Sequence, residues 1–159
     1  MSDRIRRRRG GFELRLPETE RALLRTLPGQ LRELLAEDDP STARLFPPAY
    51  EDDAERDAEY RAMTREDLMA GRMSALKLME QTADAERLDE EQLVAWLHAL
   101  NDLRLVLGTK LDVSEDPGRD AVLENGPEAE SFALYSYLGW LVEQAVEALS
   151  SELGRAPDR

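Results

Sequence analysis

Arg6, Arg7, Arg8 and Arg9 follow one another near the start of a chain otherwise dominated by acids. A guanidinium presents a planar fork of donors that matches paired carboxylate or phosphate oxygens, so the run is suited to holding an anion. Nucleic-acid phosphate is one candidate. Against it, the run has no interleaved aromatic to stack on bases, and the chain carries −13 overall, from 34 Asp and Glu against 21 Lys and Arg. That excess repels polyanions at long range. The protein's own acidic helices, or an acidic protein partner, satisfy the same chemistry and are the favoured reading, with a DNA-associated regulator as the runner-up.

Two other groups could do work. Asn101, Asp102 and Arg104 interrupt a strongly apolar segment. They are expected either on its solvent side or in a buried polar network joining it to the hairpin or a partner, which is tolerated only if every member is satisfied. Tyr137, Trp140 and Leu141 exceed what one apolar stripe requires. They are expected either to fill a two-sided core or, by a slight preference, to form the patch of a symmetric homodimer.

No residue set points to catalysis. His98 is the only histidine and there is no cysteine, so His/Cys zinc clusters are excluded. Acid pairs such as Asp52-Asp53 and Glu90-Glu91 lack an apolar pocket pattern that would tune them for acid–base work. Phosphate-cradling glycine loops, nucleophile elbows, EF-hand loops and Glu-x-x-His pairs are absent from the sequence. The expectation is a non-enzymatic protein with no cofactor and no metal, an unrecognised enzyme being the remote alternative.

The elements that must position these residues follow from composition and periodicity. With 159 residues, 42% apolar and 35% charged, one thin core under a heavily solvated surface is expected, as a single domain over residues 1–153 with a frayed tail at 154–159. Residues 1 to 9 hold five Arg and one Asp, a net +4 that leaves −17 for the rest. The absence of cysteine fits a reducing compartment. No apolar stretch has the length of a signal h-region or a membrane span, so a cytoplasmic location is expected.

Gly10-Gly11 between Ile5–Arg9 and Phe12–Leu16 predicts a hairpin over residues 4–16. In that register Arg8 faces Glu13, Arg7 faces Leu14, and Phe12, Leu14 and Leu16 lie on the helices. Pro17 suits the first turn of a helix carrying leucines from Leu23 to Leu35, with a kink or break at Pro28-Gly29. Residues 37–50 read as an irregular connection and Glu51–Arg61 as helix-permissive. Thr64 with Asp67 predicts a new helix start, and Asp89 with Gln92 a stronger one, ending near Gly108.

Lys110–Val113 is a possible third strand, 114–127 a surface loop, and Pro127 the opening of a last helix. Along that helix Phe132, Tyr135, Leu138, Val142, Val146 and Leu149 form one stripe. The fold class is therefore mainly α, a bundle of about five helices with a small N-terminal β-hairpin.

The segment Trp96–Thr109 (WLHALNDLRLVLGT) resembles the signature of an actinobacterial family catalogued as a domain of unknown function, whose genes neighbour that of the ClpS protease adaptor. Gly10-Gly11 after a basic start, Leu45-Phe46-Pro47-Pro48 ahead of acids, Glu59-Tyr60, and Tyr135, Tyr137 and Leu138 extend the resemblance over nearly the whole chain. It implies a small intracellular regulator, some relatives being described as transcriptional regulators of oxidative-stress and sulfur-metabolism genes. Without cysteine, this chain has no thiol route to redox sensing.

Overall fold

The computed structural model describes residues 3–46, 54–113 and 117–154. Along the chain run β1 (Ile5–Arg8), β2 (Gly11–Leu14), α1 (Glu18–Ala36), a 3₁₀ segment (Pro40–Leu45), α2 (Ala54–Thr82), β3 (Arg87–Leu88), α3 (Glu90–Leu111), α4 (Pro117–Asn125) and α5 (Ala129–Gly154). The fold is mainly α, with a three-stranded antiparallel sheet in the order β1-β2-β3. No helix among the described residues is long and apolar enough to cross a membrane. The tail expected to fray lies, from residue 155 onward, outside the described residues.

The hairpin forms where the sequence placed it, but one step out of register. Ile5 pairs with Leu14, Arg6 with Glu13, Arg7 with Phe12 and Arg8 with Gly11, so Arg9-Gly10 is the turn. The reason is tertiary. Gly10 takes φ +83°, while Gly11 belongs to the strand, where a Cβ would lie 2.7 Å from the Leu88 carbonyl oxygen of β3. Glycine is what lets β3 approach. The shift buries Ile5 beside Phe12, Leu14 and Leu88, and that face packs on α3 and α5.

Arg21 fastens the sheet to α1, because its guanidinium donates to four carbonyls: Leu14 at 3.3 Å, Leu16 at 3.0 Å, Ala83 at 2.9 Å and Ala85 at 2.8 Å. The hairpin end, the start of α1 and the α2–β3 turn thereby meet on one cation.

Helix α3 is the central element, packed by α1, α2, α5, the sheet and the 3₁₀ segment. Its start has both bonds of a capping box: the Gln92 N–H donates to Asp89 Oδ1 at 2.8 Å and the Asp89 N–H to Gln92 Oε1 at 2.9 Å. Leu93, Trp96, Leu100 and Leu103 are buried as their spacing requires, and the Trp96 indole donates to Thr82 Oγ1 at 2.7 Å. The helix does not end at Gly108. It continues to Leu111 and closes on Asp112 at φ 54°. Gly108 instead makes room for α5, since a Cβ there would sit 2.8 Å from the Tyr135 ring. The third strand expected at Lys110–Val113 is accordingly absent, and β3 takes that role.

Three further expectations are corrected. Helix α1 continues through the buried Pro28, so of the kink or break expected there the break is absent. Thr64 lies inside α2 rather than at its start, because the helix has already begun at Ala54. Pro117–Asn125, read as loop, forms α4, and α5 begins at Ala129 just after Pro127.

Candidate functional site

The solvent face of the sheet is set by the alternation of its strands. Arg6 and Arg8 on β1, Glu13 on β2 with Arg15 just beyond it, and Arg87 on β3 point away from the core. Glu13 lies opposite Arg6 on one side and Arg87 on the other, with Arg8 at 3.6 Å and Arg15 at 3.8 Å. Asp3 lies 3.6 Å from Arg6. Arg9 is exposed at the tip, its carbonyl accepting from Arg87 Nη2 at 2.6 Å.

Arg6, Arg8, Arg9, Arg15 and Arg87 thus stand against Glu13 and Asp3, a net +3 on a chain of −13. Exposed ion pairs near 3.6 Å contribute under about 1 kcal/mol each, so these guanidinia can exchange partners at little cost. Arg7 differs from its neighbours. It is half-buried on the core side of β1, with its guanidinium 5.2 Å from the centre of the Phe12 ring.

Behind the sheet lies a polar cluster that takes in Tyr137 and Trp140, two of the three residues expected at a dimer face. Glu20 of α1 accepts from Arg4 Nε at 2.9 Å and from the Tyr137 hydroxyl at 2.7 Å. The Arg4 N–H donates to buried Gln144 Oε1 at 2.8 Å, and its guanidinium lies 5.2 Å from the Trp140 ring. Burial pushes the Glu20 carboxyl up, but the hydrogen bonds from Arg4 and Tyr137 together hold it below its ordinary range. Burial first, then the bond to Glu20, raise the Tyr137 hydroxyl far above the usual phenol range. Leu141 is fully buried and has no surface to offer a second copy. Tyr137 and Trp140 are half-buried and engaged inside the chain, because α5 is covered by both α3 and β1.

Asp102 is buried on α3, and both of its oxygens accept from Arg72 Nη1 of α2, at 2.8 and 2.9 Å. Arg72 Nη2 donates to the Leu45 carbonyl at the end of the 3₁₀ segment. Phe46 meets two cations, with the Arg65 guanidinium 4.0 Å and the Arg72 guanidinium 5.8 Å from its ring centre. Burial raises the Asp102 carboxyl above its ordinary range, and Arg72 offsets this only in part. The network therefore joins α3 to α2 and the 3₁₀ segment, not to the hairpin. Asn101 and Arg104 stand apart from it, half-buried and bonded to each other at 2.9 Å. His98 is exposed. Among the described residues no group of three or more His, Asp or Glu is placed to hold a metal ion.

A family model described as Domain of unknown function (DUF2017) matches residues 2–149. The chain belongs to that family. No curated protein and no solved structure matches it.

Arg15 and Arg87 are the members of the arginine face that reading along the sequence missed. Arg15 carried a signal, because it follows Glu13 by two residues in an alternating strand. Arg87 carried none, since β3 is two residues long and its place beside Glu13 is decided by the packing of α2 and α3.

Proposed function

We propose that this DUF2017 chain is a non-enzymatic regulatory or adaptor protein that works by protein–protein contact, its arginine-faced sheet docking on an acidic surface of the partner. One observation carries this: exposed arginines from all three strand regions are gathered around a single glutamate on an otherwise acidic molecule. A charged face of opposite sign to the body orients an approaching partner and quickens its encounter. The remaining polar clusters, Arg4-Glu20-Tyr137 and Arg72-Asp102, are consumed in holding helices and sheet together. The resemblance to a family encoded beside the ClpS adaptor supports a place in transcription control or regulated proteolysis, and a cysteine-free chain suits the cytoplasm.

The test is affinity capture from the native host with the wild-type chain and with the variant Arg6→Glu/Arg8→Glu/Arg9→Glu. An acidic protein retained by the wild type, and lost with the variant, is the expected result. The same protein retained equally by both would overturn the reading. Retention of DNA instead, weakening steeply with salt, would transfer the arginine face to the runner-up, a DNA-associated regulator.

A further inference from the structure

The seam between α1 and α5 is closed at one end and open at the other. Near the start of α1 it is tied by Glu20 to Tyr137. Two turns further along, the helices part above α3 and leave an apolar cleft of about 150 Å³. Leu103 and Val106 of α3 are its buried floor. Leu27 and Leu34 of α1 and Leu134 of α5 are half-buried walls, and exposed Lys110 stands at the rim, one turn beyond Val106.

Two properties of this cleft point to a ligand. The cleft opens to solvent past the exposed Gln30, and its roughly 150 Å³ of otherwise aliphatic lining has room for a hydrocarbon the size of benzene. The rim adds a single positive charge. Asp39, the carboxylate on which the Lys110 charge acts, is already held by the Ser41 N–H at 2.9 Å and its hydroxyl at 2.5 Å. Those bonds, more than Lys110, keep Asp39 below the ordinary carboxylate range. Among the described residues no carboxylate lies within ion-pair distance of Lys110, so its ammonium can accept an anion at the mouth of the apolar cleft, the pattern of a few placed polar groups on an apolar lining that marks small-molecule sites.

We propose that this cleft binds a small amphipathic carboxylate, with a chain or ring of about six carbons between α1 and α5 and its carboxylate on Lys110. The site is independent of the arginine face, which lies on the sheet. Hexanoate titrated into the full chain is the test, followed by amide chemical shifts, with hexanol and hexylamine as companions. Saturable shifts confined to residues 27–34, 103–110 and 134–138 are expected, strongest for hexanoate and weakest for hexylamine.

Lys110→Met, at an exposed position that leaves folding intact, should weaken hexanoate about fivefold, the scale of one exposed ion pair, and leave hexanol unchanged. Leu134→Trp, which fills the cleft from a half-exposed wall, should abolish the shifts for all three. Shifts that are absent or scattered over the surface, hexylamine binding as well as hexanoate, or hexanoate indifferent to Lys110→Met, would each overturn the proposal.

Discussion

Replacing Arg72 with methionine is the sharpest test of how α2, α3 and the 3₁₀ segment are joined. The substitution keeps much of the side chain's volume but leaves the Asp102 carboxylate, 5% exposed, without its cation and the Leu45 carbonyl without its donor. Removing one partner of a buried pair costs about 3–5 kcal/mol. The low end applies here. The Arg72 side chain is 23% exposed, and its buried Nε has no partner among the described residues, so the native pair is imperfectly satisfied.

With a urea dependence of about 2 kcal/mol per molar, a loss of about 3 kcal/mol lowers the unfolding midpoint by about 1.5 M. The pH dependence is more diagnostic. Burial already raises the folded-state Asp102 carboxyl above its unfolded value, and removing Arg72 raises it further. A raised acid stabilises the fold most when protonated, below its unfolded value near about 3.9, and that contribution is lost as pH rises through the folded value.

The deficit of Arg72→Met should therefore be largest near about pH 8 and shrink towards about pH 4. His98, one turn back on α3, also acts on Asp102, so the comparison belongs in a His98→Gln background. Urea unfolding followed by circular dichroism reads both quantities. A deficit that stays constant across that range, or a midpoint within error of the wild type, would show that Asp102 is not held as a buried ion.

Two smaller perturbations probe α5. Tyr137→Phe removes one of the bonds that keep Glu20 ionised and should cost about 1.5 kcal/mol, the lower range for a bond to a charged group. Because the folded Glu20 value is depressed, this stability exists above the unfolded value and is lost as pH falls through the folded one, so acidification should bring variant and wild type together in thermal melts. Gly108→Ala places a methyl group 2.8 Å from the Tyr135 ring. Overpacking of about 2 kcal/mol against a helix-propensity gain of about 1 leaves a net loss of about 1 kcal/mol, or about 3 °C in Tm. Adding Tyr135→Ala should relieve the contact, and a Gly108→Ala variant more stable than wild type would remove the spacing argument.

Features governed by neighbours in sequence were legible, and those governed by neighbours in space were not. The Asp89–Gln92 cap needs only local spacing, and it stands as read. The hairpin was legible as an element, but its register depends on how closely β3 approaches Gly11, and nothing near Gly11 encodes that. Gly108 has the composition of a helix stop and the position of a contact. Its meaning is supplied by Tyr135, on another helix. Asp102 announced itself as a polar break in an apolar run, whereas Arg72 was one cation among many on a helix with little amphipathic pattern.

The same distinction explains why the aromatic surplus on α5 admits two readings in the sequence and the outward arginines only one. An aromatic beyond one stripe has two destinations, a second internal neighbour or a partner. Here α5 has β1 as well as α3 beside it, so Trp140 meets Arg4, Tyr137 meets Glu20 and Leu141 is fully buried. Arginine on the outward side of a strand has no such internal destination, since the pleat turns it from the core whatever packs beneath. Moving the hairpin by one step exchanged the pairing partners along β1, yet it left Arg6 and Arg8 outside and brought Arg87 beside them. The fold corrects the register while enlarging the charged face, which makes that face the surface on which partner binding is best tested.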